Sequence, residues 1–249
     1  MDGQSSTLLL VHEEYIHNTV NKMNISIAIA IMGYPTRIKH IKEYMLPRLP
    51  LSTQVFVDIQ QRGVWYNAKR CHNSYNANDT HVLILQDDLL LCKDFINSVI
   101  AVVKANPSNI ISLYCPSSEA LKIQASGKHW MTRNAITGQA MLVPTALEPY
   151  WQLWSEKNIP NQDEKQGDDF RISLFCHHTE YKAWYCVPSL VQHIGNRSST
   201  LGYNHPGKYS KVFIGEENSG EDIDWTAGLT SPARMNYYYS EQELRQYGL

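Results

Sequence analysis

The sequence predicts a single-domain, layered α/β fold with a mainly parallel central sheet. Three apolar runs in the first half of the chain have the length of strands, and patterns of helical period separate them. The 249 residues, of which 43% are hydrophobic and 18% charged, have the composition of an ordinary globular protein. In folds of this class ligands bind at the carboxyl ends of the strands, so the residues that follow each strand are the first candidates for a site.

The first half of the chain alternates between predicted strands and helices. Strands are expected over 25–32, 54–59 and 80–85, and helices over 36–44, 67–75 and 93–104. The run from Ile25 to Met32 is almost wholly apolar, as in a strand that is buried on both faces of a parallel sheet. Gly33-Tyr34-Pro35 ends this strand and predicts a loop.

The second half is less regular but still mixes strand-like and helix-like segments. Apolar runs occupy 110–114 and 138–143, helices are expected around 150–154 and over 171–176, and a strand is expected over 183–187. A glycine-rich acidic loop follows over 215–232. We therefore expect a polar leader over 1–23, one domain over 24–214, and a loop and tail over 215–249 that pack on this domain.

Charge and cysteine usage exclude several classes of protein. Lysine and arginine number 22 against 24 acidic residues, so the net charge of -2 argues against a protein held to nucleic acid or membrane by its overall field. The five cysteines are scattered, without the spacing of a disulfide framework or a zinc knuckle. No apolar stretch approaches a membrane span, and the short run Leu8–Val11 lacks the basic flank of a signal peptide. We expect a soluble, cytoplasmic protein with no membrane partner.

Two adjacent acids follow the third predicted strand, in the segment Gln86-Asp87-Asp88. Carboxylate oxygens at a strand end suit Mg²⁺ or Mn²⁺ with bound phosphates. The alternative is that both acids only end the strand or cap the next helix.

Three further segments favour a site. The loop Gly33-Tyr34-Pro35-Thr36-Arg37 follows the first strand, where its backbone and its guanidinium can contact a nucleotide. Asp168 and Asp169 stand at the head of a predicted helix, so one carboxylate can cap the helix while the other faces a cleft. His193 follows a strand and precedes a loop rich in glycine and hydroxyl groups; a purely structural histidine is the alternative.

Together these segments resemble the GT-A-fold glycosyltransferases, over about residues 25–199. The resemblance implies that Asp88 and His193 bind Mn²⁺ or Mg²⁺, with Gln86 standing where that family often has an acid. It also implies that Asp169 or Asp168 is the general base of an inverting transfer from a nucleotide-diphosphate sugar, most simply a UDP sugar. A retaining reaction stays open.

Other segments carry the same resemblance. The helix segment Trp65-Tyr-Asn67-Ala-Lys-Arg70 is similar to one that borders the nucleotide sugar in that family, and Gly138-Gln139-Ala-Met is similar to an acceptor-side segment. The run Pro188-Ser-Leu-Val-Gln-His-Ile-Gly is the most specific match, being similar to the P-S-L-x-Q-H-x-G run of several inverting transferases. The implied nucleotide-sugar residues are Gly33, Tyr34, Arg37, Asn67, Arg70, Gln86 and Asp87, and the implied acceptor residues are Trp65, Trp130, Gly138, Gln139, Arg197 and Ser198.

Two acceptor classes are compatible with this interpretation. The small size and the lack of an anchor resemble bacteriophage-type and base-J-type transferases, which glycosylate hydroxymethylpyrimidines in DNA. A basic stretch from Arg37 to Arg70 and aromatic residues such as Trp65, Trp130, Tyr203 and 237–239 can serve DNA binding and base stacking, or can be solvated faces and core residues. A cell-surface or lipopolysaccharide glycan is the alternative acceptor, and a nucleotidyltransferase or a non-catalytic sugar-binding module is the alternative class of protein.

Overall fold

A seven-stranded sheet forms the centre of the protein in a computed structural model that describes residues 24–159, 166–195 and 209–230. Its strand order is β2-β1-β3-β7-β5-β8-β6. Strands β1, β2, β3, β5 and β8 run in one direction, whereas β7 and β6 are antiparallel to their neighbours. The predicted α/β class and the mostly parallel sheet are therefore confirmed.

The strands and helices have the following bounds. The strands are β1 (Ile27–Gly33), β2 (Gln54–Val57), β3 (His81–Gln86), β4 (Leu89–Leu91), β5 (Ile111–Ser112), β6 (Trp130–Arg133), β7 (Ala140–Pro144), β8 (Ala183–Cys186) and β9 (Val191–His193). The helices are α1 (Ile38–His40), α2 (Val64–His72), α3 (Phe95–Ala105), α4 (Ala120–Ala125), α5 (Glu148–Asn158) and α6 (Asp168–Thr179). Helix α1 is the centre of a longer helical stretch, 35–48, completed by 3₁₀ turns at both ends and a π-helical turn over Ile41–Met45.

The inner strands of the central sheet are buried on both faces, which explains their apolar sequences. In β1, Ile29 and Ile31 enter one apolar cluster and Ala30 enters the other; successive residues of β3 alternate between the two clusters in the same way. Alternation follows from the strand geometry, in which neighbouring side chains point to opposite faces. The stretch 35–48 and helix α3 cover one face, and α2, α5 and α6 cover the other.

A second, two-stranded sheet pairs β4 with β9 in antiparallel register, with Leu89 opposite His193. Neither strand was expected from the sequence, because each has only three residues and forms through a partner about 100 positions away. This pairing brings the Gln86-Asp87-Asp88 segment to the end of the P-S-L-x-Q-H-x-G run.

The described part of the C-terminal loop packs against the domain. Trp225 is buried against Trp130, whose indole nitrogen donates to the Trp225 carbonyl oxygen, and the Gly220 amide donates to Ser98 of α3. The leader over 1–23 and the tail beyond 230 lie outside the described residues, as do Arg197, Ser198, Tyr203 and Tyr237–Tyr239. Among the described helices, none combines the length and apolarity that a bilayer span requires.

Candidate active site at the carboxyl ends of the strands

The loop after β1 and the acids after β3 meet at one edge of the sheet. These strands are parallel neighbours, with Met32 beside Gln86, so both chains leave the sheet together. The Tyr34 amide donates to Asp87 Oδ2 over 2.6 Å, and the Arg37 guanidinium donates to Asp87 Oδ1 over 2.9 Å. Burial raises the pKa of Asp87, and the Arg37 and Tyr34 contacts offset only part of that effect. Asp87 therefore fixes the loop that the sequence predicts to contact the nucleotide.

Asp88 lies between a cation and an imidazole. Its Oδ2 is 2.5 Å from the Arg37 guanidinium and accepts a 3.1 Å hydrogen bond from Nε2 of His193. Burial raises the pKa of Asp88, but the contacts with His193 and Arg37 outweigh burial, so the pKa lies below its ordinary value. The predicted pair Asp88 and His193 is thus brought together, and its carboxylate is held ionised.

Two atoms of this pair have unmet bonding capacity. Asp88 Oδ1 and His193 Nδ1 are both buried and have no hydrogen-bond partner among the described residues. Buried polar atoms are normally satisfied, so these two atoms are available to a ligand. The Asp88 carboxylate is a ligand that suits Mn²⁺ or Mg²⁺, whereas the His193 imidazole is a ligand more typical of later transition metals. Within 24–159, 166–195 and 209–230, no group of three His, Cys, Asp or Glu side chains is arranged to hold a metal ion, so the chain there supplies fewer ligands than a closed site needs.

Gly195 closes over the Asp88–His193 pair. A Cβ atom at this position would overlap Asp88 Oδ2 and would lie 3.0 Å from His193 Nε2. Only a residue without a side chain lets the backbone approach so closely. The glycine of the P-S-L-x-Q-H-x-G run therefore has a steric role that the sequence prediction did not assign.

We expect Gly195→Ala to weaken Mn²⁺ binding by at least about tenfold, because the new methyl group must displace the Asp88 carboxylate. Isothermal titration with Mn²⁺ and a nucleoside diphosphate measures this change. Ile194→Ala is the matched control, since Ile194 is 38% exposed and contacts Asp88 through its backbone amide. Unchanged affinity in Gly195→Ala would show that the close approach has no bearing on the site.

The acceptor-side segment and the predicted base lie next to the same edge. The Gln86 amide donates to the Gln139 carbonyl oxygen over 2.9 Å, which extends the pairing of β3 with β7. A Cβ atom on Gly138 would lie 3.1 Å from the Cβ of Asp169, so the Asp169 side chain lies directly against this glycine. Asp169 thus contacts Gly138, and the next residue, Gln139, is hydrogen-bonded to Gln86, which directly precedes Asp87 and Asp88.

Asp168, by contrast, is engaged in the interior. It is 1% exposed, and its Oδ2 accepts a 3.2 Å hydrogen bond from Nε2 of His72, whose Nδ1 donates to Glu148 over 2.7 Å. His72 and Glu148 were not predicted from the sequence, because no local pattern connects residues 76 positions apart. Of the two predicted bases, only Asp169 remains partly accessible.

The two carboxylates of this network favour the charged form of His72. Burial lowers its pKa, but the carboxylates of Glu148 and Asp168 outweigh burial and raise the pKa to about 9. Each ring nitrogen lies within hydrogen-bond distance of a carboxylate oxygen, and only the imidazolium can donate to both oxygens at once.

We expect the free energy of unfolding to fall between about pH 6.5 and pH 9, because the pKa of His72 is raised from its ordinary 6.5 to about 9, so that the folded protein keeps a proton that the unfolded chain has lost. Burial also raises the pKa values of the neighbouring Cys71 and Tyr75, and these groups lower the stability only at higher pH, where the unfolded chain begins to lose their protons. Urea unfolding at a series of pH values measures the change, with His72→Gln as the reference that lacks the titrating group. The same pH dependence in both proteins would contradict the assignment.

The remaining predicted residues divide into two groups. Asn67 lies at the site edge, where its side-chain amide donates to the carbonyl oxygens of Gly33 and Phe56 over 3.2 and 2.8 Å. Arg70 is exposed and lies over the rings of Phe56 and Tyr66. Trp65 and Trp130 are only 1% and 5% exposed and pack against other aromatic side chains, so neither presents a face on which an acceptor can stack. This placement does not suit their predicted acceptor contacts.

The chain was compared with protein-family models and with curated proteins. No protein-family model matches the chain, and no curated protein matches its sequence.

Proposed function

We propose that the chain is a metal-dependent glycosyltransferase with a GT-A-like fold that uses a nucleotide-diphosphate sugar. The observation that carries this proposal is the buried Asp88–His193 contact with its two unpartnered atoms, Asp88 Oδ1 and His193 Nδ1. It lies at the carboxyl ends of parallel strands, where α/β proteins bind nucleotides. Asp88 and His193 would hold the cation, with further ligands from the diphosphate and water.

The residues around the pair have separable tasks in donor binding. Arg37 lies beside both acids and can turn toward the donor phosphates when a ligand takes its place. Asn67 and Asp87 hold the Gly33-Tyr34 turn in place from two sides. A divalent cation at Asp88 and His193 would supply Lewis-acid stabilisation of the charge that develops on the leaving diphosphate.

Asp169 is the residue we assign as the base. Its side chain is half-buried against Gly138, in the acceptor-side segment, and it stands at the first turn of α6. A carboxylate there can accept the proton of an acceptor hydroxyl as its oxygen attacks the sugar. The resulting transfer is inverting.

We expect Asp169→Asn to lower kcat by on the order of 10²–10⁴ with little change in the donor KM, because general-base catalysis contributes about this much to the rate. Release of nucleoside diphosphate measures the rate, and Asp222→Asn, at an exposed acid of the C-terminal loop, is the control. A near wild-type rate in Asp169→Asn would favour a retaining or substrate-assisted route.

Two classes of acceptor are candidates, a DNA base and a glycan. A hydroxymethylpyrimidine in DNA is motivated by the basic stretch, in which Arg62 and Arg70 form no ion pair with a carboxylate among the described residues. Two observations favour a glycan hydroxyl. Trp65 and Trp130 are buried and cannot stack on a DNA base, and the ion pair of Lys69 with Glu156, over 2.5 Å, neutralises a positive charge that could contact a DNA phosphate.

A mass-spectrometric screen tests the function and the acceptor together. Nucleotide sugars are offered with hydroxymethylated DNA, unmodified DNA and a panel of oligosaccharides, in Mn²⁺ and in excess chelator. Sugar transfer that requires the cation supports the proposal, and the product identifies the acceptor. Transfer of a nucleotidyl group, or no reaction with any donor, would reject it.

A further inference from the structure

A buried cluster of charges joins three helices next to the proposed base. His72 ends α2, Glu148 begins α5 and Asp168 begins α6, and all three side chains are at most 1% exposed. Glu148 also accepts hydrogen bonds from the Trp151 indole and from Gln152, over 2.8 and 2.9 Å. The ring of His72 contacts the edge of Trp151 at a centroid distance of 4.7 Å. The described residues thus surround the imidazolium with two carboxylates and an aromatic wall.

Both oxygens of Asp168 are used, each in a different direction. Oδ2 accepts from His72, whereas Oδ1 accepts from the backbone amide of Asp169 over 3.0 Å. Rotation of this carboxylate would therefore break both contacts. Asp169 in turn holds the amide of Phe170 through its Oδ1 over 2.8 Å and lies against Gly138. The Asp168 carboxylate therefore links the His72 ring to the backbone amide of Asp169.

We propose that His72 is a positioning residue, which fixes the first turn of α6 through Asp168 and thereby aims the Asp169 carboxylate at the acceptor. The role in transfer depends on the proposed function, whereas the coupling of His72 to Asp169 does not. Glu148 contacts the other ring nitrogen, Nδ1, and its side chain has no hydrogen bond to α6 among the described residues. Substitution of His72 and substitution of Glu148 therefore disrupt the same network, but only the first removes the side chain that contacts Asp168.

His72→Gln and Glu148→Gln form the matched pair for the test. Each replaces one charged member by a neutral hydrogen-bonding side chain, so both are expected to lower the melting temperature. Only His72→Gln removes the ring that contacts Asp168, whereas Glu148→Gln lowers the pKa of His72 but leaves its Nε2 atom facing Asp168. We expect the backbone amide and carboxyl resonances of Asp169 to shift in His72→Gln and to stay within the spread of distant residues in Glu148→Gln. In the transfer assay, kcat is expected to fall about 10–100-fold in His72→Gln with the donor KM unchanged.

Equal effects of the two variants on Asp169, or no effect of either, would overturn the proposal and leave a purely structural cluster. Should His72→Gln not fold, the unmodified protein still decides the question. In a pH titration of the wild-type protein, the amide resonance of Asp169 is expected to shift with the same midpoint as the ring resonances of His72. Different midpoints for the two residues would overturn the proposal. If the wild-type protein transfers no sugar, the proposed function fails, while the resonance measurements still test the coupling.

Discussion

Asp88→Asn is expected to lower the rate of sugar transfer by about 10³-fold or more while the protein stays folded. The substitution removes the charge that faces His193 and Arg37 and leaves the shape of the side chain unchanged. Charge stabilisation by a bound cation is worth several kcal/mol, and each 1.4 kcal/mol or so corresponds to a tenfold change in rate. Initial rates of nucleoside diphosphate release measure the loss, and circular dichroism reports the fold.

Asp94→Asn is the matched control for this variant. Asp94 is an exposed acid six residues further along, at a left-handed backbone position (φ 48°) that asparagine tolerates. Its substitution changes the net charge by the same amount outside the site, so wild-type activity is expected. Full turnover of Asp88→Asn in excess chelator would remove Asp88 from the mechanism.

His72→Ala is expected to destabilise the protein by about 3–5 kcal/mol at neutral pH. It leaves the carboxylates of Glu148 and Asp168 buried without the imidazolium between them, and an uncompensated buried charge costs about this much. That loss is a large part of the 5–15 kcal/mol or so that stabilises a typical domain. Equilibrium unfolding in urea measures the difference from the wild-type protein.

His177→Ala controls for the loss of a histidine as such. His177 is exposed on α6, so a change within about 0.5 kcal/mol is expected. A comparable small change in His72→Ala would mean that the two carboxylates become neutral or hydrated at little cost, and that the cluster does not stabilise the helix layer.

The parallel core of the fold was predictable because its signals are local. The strands β1 and β3 are continuous apolar runs that the sheet buries on both faces, and the helix α3 repeats its apolar side chains with helical period. The short strands β4, β6 and β9 and the helix α4 were not predicted. Three to six residues carry too little periodicity, and pairing with distant partners decides their conformation.

The site was predictable to the extent that strand ends identify it. Asp87, Asp88 and Arg37 follow parallel strands, and the carboxyl ends of parallel strands lie at the same edge of the sheet for any loop conformation. Asp168 and Asp169 were recognisable only as a pair at a helix start, and their opposite environments depend on His72, which comes from another helix. Trp65 and Trp130 show the converse case, since aromatic side chains that suit stacking on a ligand also suit a core.

Manganese binding in the presence of a nucleoside diphosphate tests most directly whether Asp88 and His193 form a cation and diphosphate centre. Electron paramagnetic resonance counts free Mn²⁺ while UDP and other nucleoside diphosphates are added to the wild-type protein, to Asp88→Asn and to His193→Gln. The expected result is one bound Mn²⁺ per wild-type chain in the presence of a nucleoside diphosphate, with binding lost in both variants and retained in Asp94→Asn. Wild-type protein that binds no Mn²⁺ with any nucleoside diphosphate, or variants that bind it as tightly as the wild type, would contradict this centre.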